Sequence, residues 1–298
     1  MSSINTIPKK IFYVWGANER KPRDVLACIQ SWRQNCADYE IIEINEQSTE
    51  YFNYQKELKD NSWFRAVHQM KMWAYVADYV RIKTLYDNGG IYLDTDVTCI
   101  KNFDEFLNLP AFVGMQSEKY VEPAILGAVK CNALLKKILN YYQNDVWYES
   151  PTTMPEIFER FLNYFGIERF PAKNDQKVIS LQDVTIFPER FFIPFRYGDE
   201  FKPSDVEPDT VTIHWFGGSW LREEVFYFLQ NKSKFSLQMG EIKKVETERH
   251  SLFKCLPIVS VTKTNRETKV KVLGIPCFSY SRDKFIAFGI KLISIKRL

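Results

Sequence analysis

Several features that quickly define a protein class are scarce or missing here. The six cysteines, Cys28, Cys36, Cys99, Cys131, Cys255 and Cys277, are scattered. They form neither the close pairs of a zinc site nor the density of a disulfide framework, so free thiols in a reducing compartment are expected. No apolar run approaches the roughly 18 to 20 residues that a membrane-spanning helix needs, and Met1 to Lys10 lacks the apolar stretch of a signal peptide. The expected location is the cytoplasm. Histidine is limited to His68, His214 and His250, which narrows any imidazole chemistry to three positions.

What is abundant is core material. With 45% hydrophobic and 15% aromatic residues, a chain of 298 can bury one large core or two unequal ones. The net charge of +3 conceals an asymmetry: residues 231–298 hold 15 Lys and Arg against 5 Asp and Glu, a net +10, leaving −7 for the first 230. The basic quarter also repeats itself. CLPIVSVTK (Cys255 to Lys263), LGIPCFSYSR (Leu273 to Arg282) and FGIKLISIKR (Phe288 to Arg297) each follow a turn-like Gly or Pro with alternating apolar and polar residues. This predicts a catalytic or binding body at residues 1–235 and a basic, β-rich extension at 236–298. That extension either docks on anionic lipid or a charged partner or packs as a plain β-extension.

The first 230 residues alternate strands and helices. KIFYVWG (Lys10 to Gly16) and YEIIEI (Tyr39 to Ile44) read as strands around a helix capped at Asp24 and running toward Asn35. One long helix is predicted from about Trp63 to Asp87, stopped by Asn88, Gly89 and Gly90, before an IYLDTD strand. This order predicts an α/β fold with a mainly parallel sheet, whose ligands bind beyond the C-terminal strand ends. Trp15 and the Asp94–Asp96 pair would share that edge.

Three local signals point to chemistry. Asp94 and Asp96, at i and i+2 of a strand exit, point the same way and repel unless something positive intervenes. A divalent cation for a phosphate-bearing substrate, an aspartyl nucleophile with its acid/base partner, and a solvated Asp-rich turn all fit. Asp78 and Arg81 lie three apart on the preceding helix, either as a solvated pair or as groups for a sugar hydroxyl and a phosphate. His214 ends an apolar strand before Gly217, Gly218 and Ser219; an imidazole there suits a divalent metal alongside carboxylates, or a structural hydrogen bond. Trp215 or Trp220 would wall such a site.

In that order, IPKKIFYVWG (Ile7 to Gly16), Ser31 and Trp32 with DYE (Asp38 to Glu40), ADYVRIKTLYDNGGIYLDTDV (Ala77 to Val97) and HWFGGSW (His214 to Trp220) resemble glycosyltransferase family 32. These are bacterial capsule and lipopolysaccharide enzymes related to yeast initiating mannosyltransferases, and more distantly to clostridial glucosylating toxins. The resemblance covers roughly residues 7 to 220. It implies a GT-A type nucleotide-binding sandwich, a manganese or magnesium ion, a nucleotide-sugar donor and retention of anomeric configuration. It further implies that Trp15 stacks on the base, that Asp78, Arg81 and Tyr92 touch the sugar and diphosphate, and that Asp94 reaches ribose and metal. Asp96 and His214 would ligate the metal, and Ser219 and Trp220 would lie against the diphosphate. The expected donor is a UDP-sugar, with GDP-mannose the second option, and the expected acceptor is a glycan or lipid-linked surface-glycan precursor; no nucleic-acid partner is expected. The chain departs from the family at Pro123 in EPAILGA, where relatives often carry Asn, and no unambiguous carboxylate on the far face offers itself as a covalent nucleophile. A front-face transfer is therefore expected. Two other readings are a haloacid-dehalogenase-like phosphatase using LDTDVT and a non-catalytic sugar-nucleotide binder.

Overall fold

The computed structural model describes residues 6–150 and 152–217, residues 229, 232 and 233, and the backbone of six strand segments between 246 and 294. The chain divides into two compact units, Met1–Phe235 and Ser236–Leu298.

In the first unit, seven strands make one sheet: β1 (Lys10–Val14), β2 (Glu40–Ile44), β3 (Gly90–Leu93), β5 (Ala111–Met115), β6 (Val121–Ala128), β7 (Ile179–Ser180) and β8 (Thr185–Phe187), in the order β2-β1-β3-β6-β5-β8-β7. Five strands run the same way, while β6 and β7 are reversed. The sheet is thus mainly parallel, as expected, with a reversed strand inserted beside β3. Two further short strands, β4 (Val97–Cys99) and β9 (Thr212–His214), pair antiparallel outside it.

Around the sheet, among the described residues, stand helices α1 (Arg23–Asn35), α2 (Tyr54–Asp60), α3 (Ser62–Gln69), α4 (Trp73–Asn88), α5 (Ala133–Asn144), α6 (Met154–Asn163) and α7 (Glu189–Phe192). Strand alternation sorts the two faces. Ile11, Ile91 and Leu93 join Trp32 of α1 and Phe112 in one core cluster, each side chain contributing about 1.5–3 kcal/mol by leaving water. On the other face lie Phe12 and Tyr92, covered by α4. The α/β sandwich is therefore present. Trp32 also ties down the strand just beyond β3: its indole N–H donates to Val97 O at 2.7 Å, and Ser31 Oγ accepts from Cys99 N–H at 3.0 Å, so α1 holds β4.

The predicted single helix from Trp63 to Asp87 is two helices. Lys71, at φ 54°, breaks the ladder between α3 and α4, and Met72 N–H turns back to Val67 O. The glycine stop behaves as predicted. Gly89 caps α4 at φ 71°, and a Cβ there would stand 2.9 Å from Lys130 N; a Cβ on Gly90 would meet the Phe12 ring at 2.8 Å. Among the described residues Cys28, Cys36, Cys99 and Cys131 are free, and no helix is long and apolar enough to cross a membrane.

The second unit is one antiparallel meander of six strands: β10 (Glu246–Phe253), β11 (Leu256–Lys263), β12 (Glu267–Val272), β13 (Ile275–Ser281), β14 (Lys284–Ala287) and β15 (Ile290–Ser294). The three sequence repeats fall on β11, β13 and β15, so each repeat is one strand of a two-strand unit.

Candidate active site

The paired aspartates sit where β3 leaves the sheet. Asp94 N–H donates to Ala124 O at 2.9 Å, holding Asp94 against β6, and Val97 N–H returns to Asp94 O at 3.1 Å. Residues 94–97 are thus a turn, with Asp96 inside it. The two carboxylates converge through that turn rather than by alternation along one strand, as their spacing had suggested.

Pairing of β4 with β9 delivers the histidine. Val97 lies opposite His214, and Trp215 N–H donates to Asp96 O at 3.0 Å. His214 Nε2 then stands 3.3 Å from Asp96 Oδ1, and Nδ1 faces Glu122 Oε2 at 3.6 Å. Ligand atoms of Asp94, Asp96 and His214 all lie within 4.8 Å of one another. Two carboxylates and an imidazole form a donor set suited to a hard or borderline divalent ion. Neighbouring ligands on an octahedral ion with bonds of about 2.1 Å stand about 3 Å apart, so the Asp96–His214 separation fits joint ligation without rearrangement. Those residues therefore fit a manganese or magnesium ion.

Gly217 serves the site in a way the sequence did not indicate. Its N–H donates to Asp96 Oδ2 at 2.7 Å, and a Cβ there would press to 3.2 Å from the same oxygen. The glycine admits backbone to the carboxylate. Trp215 does not wall the site from the His214 side; its indole donates to Thr98 Oγ1 and its ring packs near Phe195 and Phe201. Gly218, Ser219 and Trp220 lie outside the described residues.

Behind the carboxylates is a buried cation. Arg81, on α4, is 4% exposed; its Nη2 contacts Asp78 Oδ1 at 3.1 Å and Asp94 Oδ1 at 3.0 Å. The guanidinium lies 4.5 Å from the centroid of the Tyr92 ring. The Asp78–Arg81 pair is therefore buried rather than the solvated helix pair its spacing also allowed.

The electrostatics follow from burial and mutual charge. Burial pushes the Asp78 carboxyl up to about 7 against the pull of Arg81, with Asp94 adding to the rise. Burial also raises Asp94 despite Arg81. Asp96 goes the other way: burial works against its charged form, but the His214 hydrogen bond and charge, with the Gly217 N–H, hold it below the ordinary value. For His214 burial disfavours the cation, yet the Glu122 charge and the Asp96 hydrogen bond outweigh it and raise it to about 10.

Six sequence candidates, Asp78, Arg81, Tyr92, Asp94, Asp96 and His214, thus come together. Trp15 stands at the end of β1, on the same sheet edge as Asp94. It packs against the core cluster, donates its indole N–H to Glu19 O at 2.9 Å, and has Lys21 Nζ 5.9 Å from its ring centroid. Glu122 is the residue that sequence reasoning missed. Its one signal was an acidic side chain at the second position of an otherwise apolar strand, and that strand is buried throughout.

The sequence is also similar to known proteins. Residues 22–113 match the family described as glycosyltransferase sugar-binding region containing DXD motif. Inositol phosphoceramide mannosyltransferase 3 of Schizosaccharomyces pombe is 32% identical over 136 residues, 45% of this chain and 36% of that protein. Lactosylceramide 4-alpha-galactosyltransferase of Mus musculus is 27% identical over 143 residues, 46% of this chain and 37% of that protein. The chain thus spans little more than a third of the length of these two relatives. A solved structure of the PaToxG glycosyltransferase covers 54% of this chain and 70% of its own at 19% identity, with a TM-score of 0.44.

Proposed function

We propose, from the premise that residues 22–113 belong to the glycosyltransferases with a DXD sugar-binding region, that this chain is a metal-dependent, retaining hexosyltransferase acting on a nucleotide-sugar donor. The observation that carries the reading is the convergence of Asp94, Asp96 and His214 in front of the buried Arg81. We assign the chemistry to residues 1–235.

In this reading Asp96 and His214 hold the cation with Asp94. When bound, the cation neutralises the negative charge that develops on the departing diphosphate. Asp94 is anchored for that role by Arg81, whose Nη2 donates to Oδ1. Asp78, less exposed than Asp94, accepts from a sugar hydroxyl or, when protonated, donates to one. Trp15 offers a flat surface to the base at the neighbouring strand end. Ser219 and Trp220 are assigned to the diphosphate from the sequence pattern alone. For the transfer itself we favour front-face attack, in which the leaving phosphate oxygen accepts the proton of the acceptor hydroxyl.

A UDP-sugar is the favoured donor and GDP-mannose the second. The two named relatives carry mannose and galactose in their names, so sugar choice stays open to a few hydroxyl contacts. Their names also carry lipid acceptors, inositol phosphoceramide and lactosylceramide, which favours a lipid-linked glycan acceptor here. Neither relative favours a capsule or lipopolysaccharide precursor over a glycolipid. The basic unit at residues 236–298 would place the enzyme against anionic lipid. The experiment is a panel of UDP- and GDP-sugars assayed for manganese-dependent release of nucleotide, with and without a glycolipid acceptor. Release from none of them in either condition would contradict the reading.

A further inference from the structure

Glu122, the second residue of β6, lies at the end of that strand where the cation ligands gather, and it gets there through an irregularity in the strand. β5 pairs with β6 in register up to Val113 and Leu126, but the next pair is Gly114 with Glu122, so residues 123–125 bulge out of that ladder. On its other side β6 stays paired to β3 through Leu93 and Ile125 and through Ala124 O, which accepts from Asp94 N–H. Pro123 falls inside the bulge, where its lack of an N–H costs no ladder bond. The departure from the family pattern at Pro123 thus coincides with a device that redirects the residue beside it.

The redirected carboxylate is held. Glu122 is 7% exposed, and its Oε1 accepts from Ala124 N–H at 3.1 Å, leaving Oε2 to face His214 Nδ1 at 3.6 Å. His214 Nδ1 is itself buried and makes no hydrogen bond. On the far side of the ring, Nε2 faces Asp96. A neutral imidazole ligates a cation through one nitrogen and carries its proton on the other, and a buried N–H needs an acceptor. With Nε2 turned toward Asp94 and Asp96, the proton belongs on Nδ1, and Glu122 Oε2 is the acceptor in front of it. Closing 3.6 Å to a charge-assisted bond of about 2.8 Å needs a shift of about 0.8 Å.

We propose that Glu122 is a positioning residue that fixes the tautomer and ring orientation of His214, so that Nε2 is presented to a divalent cation. This rests on the reading of Asp94, Asp96 and His214 as a cation site, and it extends that site to a fourth side chain. Glu122 acts through His214, not on the substrate.

Glu122→Gln is the discriminating variant because it is isosteric and keeps only one oxygen. That oxygen accepts from Ala124 N–H or from His214 Nδ1–H, not from both. With the oxygen on Ala124, the amide NH2 faces Nδ1 and favours the tautomer whose Nε2 carries the proton and cannot ligate. The experiment is calorimetric titration of the full chain with Mn2+ alone, on wild type, Glu122→Gln, His214→Ala and the double variant, each with its metal-free melting temperature. The expected result is an affinity about 10- to 100-fold lower in Glu122→Gln, the range for loss of an outer partner of a metal-bound histidine. No further loss is expected when the change is added to His214→Ala. Glu122→Ala, which removes the acceptor altogether, serves the same purpose should the Gln variant not fold. Wild-type affinity in Glu122→Gln overturns the proposal, as does an equal loss in the His214→Ala background; a purely structural role would lower the melting temperature and leave the affinity of the folded chain unchanged. A wild-type chain that takes up no Mn2+ overturns the cation site itself, which separates that failure from failure of the Glu122 assignment.

Discussion

Replacing Arg81 by Met keeps the apolar stem against Tyr92 and removes only the charge. The guanidinium side chain is 5% exposed and touches two carboxylates, Asp78 at 13% and Asp94 at 28% exposure. Removing one partner of a buried ion pair costs about 3–5 kcal/mol, because the other charge is left without compensation. For a unit of this size each kcal/mol lowers the melting temperature by about 2–4 °C, so Arg81→Met should melt about 6–20 °C below wild type at pH 8. The pH dependence has a definite sign. Burial raises Asp78 to about 7, above the ordinary 3.8, so its folded form binds the proton more tightly than the unfolded form. Stability from this group is therefore greatest at low pH and falls as pH rises from about 4 to 7. Without Arg81 opposing the rise, the Asp78 carboxyl moves higher still, and at pH 5 it is neutral in the folded variant. The loss caused by Arg81→Met should accordingly be smaller at pH 5 than at pH 8. Circular-dichroism melts of both proteins at the two pH values, with chelator, test this. A variant within about 2 °C of wild type at pH 8, or a larger loss at pH 5, would refute the argument.

Two further outcomes are expected. Trp15→Ala should weaken binding of UDP to the folded protein in the presence of Mn2+ by about 1–3 kcal/mol, read by calorimetry below the melting temperature of the variant; equal affinity would remove Trp15 from the base site. Deleting residues 236–298 should abolish salt-sensitive sedimentation with anionic liposomes, since each basic side chain at such a surface contributes about 1 kcal/mol, and undiminished sedimentation at low salt would end the anchor idea.

Much of the site was legible because its residues carry local punctuation. Asp94 and Asp96 follow an apolar strand behind two positions that only glycine satisfies sterically, and His214 ends a strand before another glycine. Those signals are short-range, so a single sequence reveals them. The convergence of strand ends was also readable, because β1 and β3 are parallel neighbours. What was hidden depends on tertiary contacts. The break at Lys71 falls in QMKMW, a stretch of good helix formers with neither Gly nor Pro, so nothing local announces it. Glu122 is aimed by a bulge whose register is set by β3 and β5, and its proline reads locally as a lost contact rather than as the means of redirection. The reversal of β6 within the sheet is likewise a pairing choice that periodicity does not encode. In the second unit, the repeat motif covers alternate strands only, so β10, β12 and β14 went unread.

The central claim, that Asp94, Asp96 and His214 hold a cation for transfer from a nucleotide-sugar, is tested most directly by Asp96→Asn. Asn keeps the shape of the side chain and an acceptor for the Gly217 N–H but loses the charged ligand oxygen that faces His214. With UDP-galactose, UDP-glucose, their N-acetylated forms and GDP-mannose as donors, nucleotide release by the wild type should depend on Mn2+. The variant, melting close to wild type, should lose at least about 100-fold in turnover, the scale of one removed electrostatic stabiliser. An Asp96→Asn enzyme that melts like wild type and keeps its manganese-dependent turnover would contradict the account.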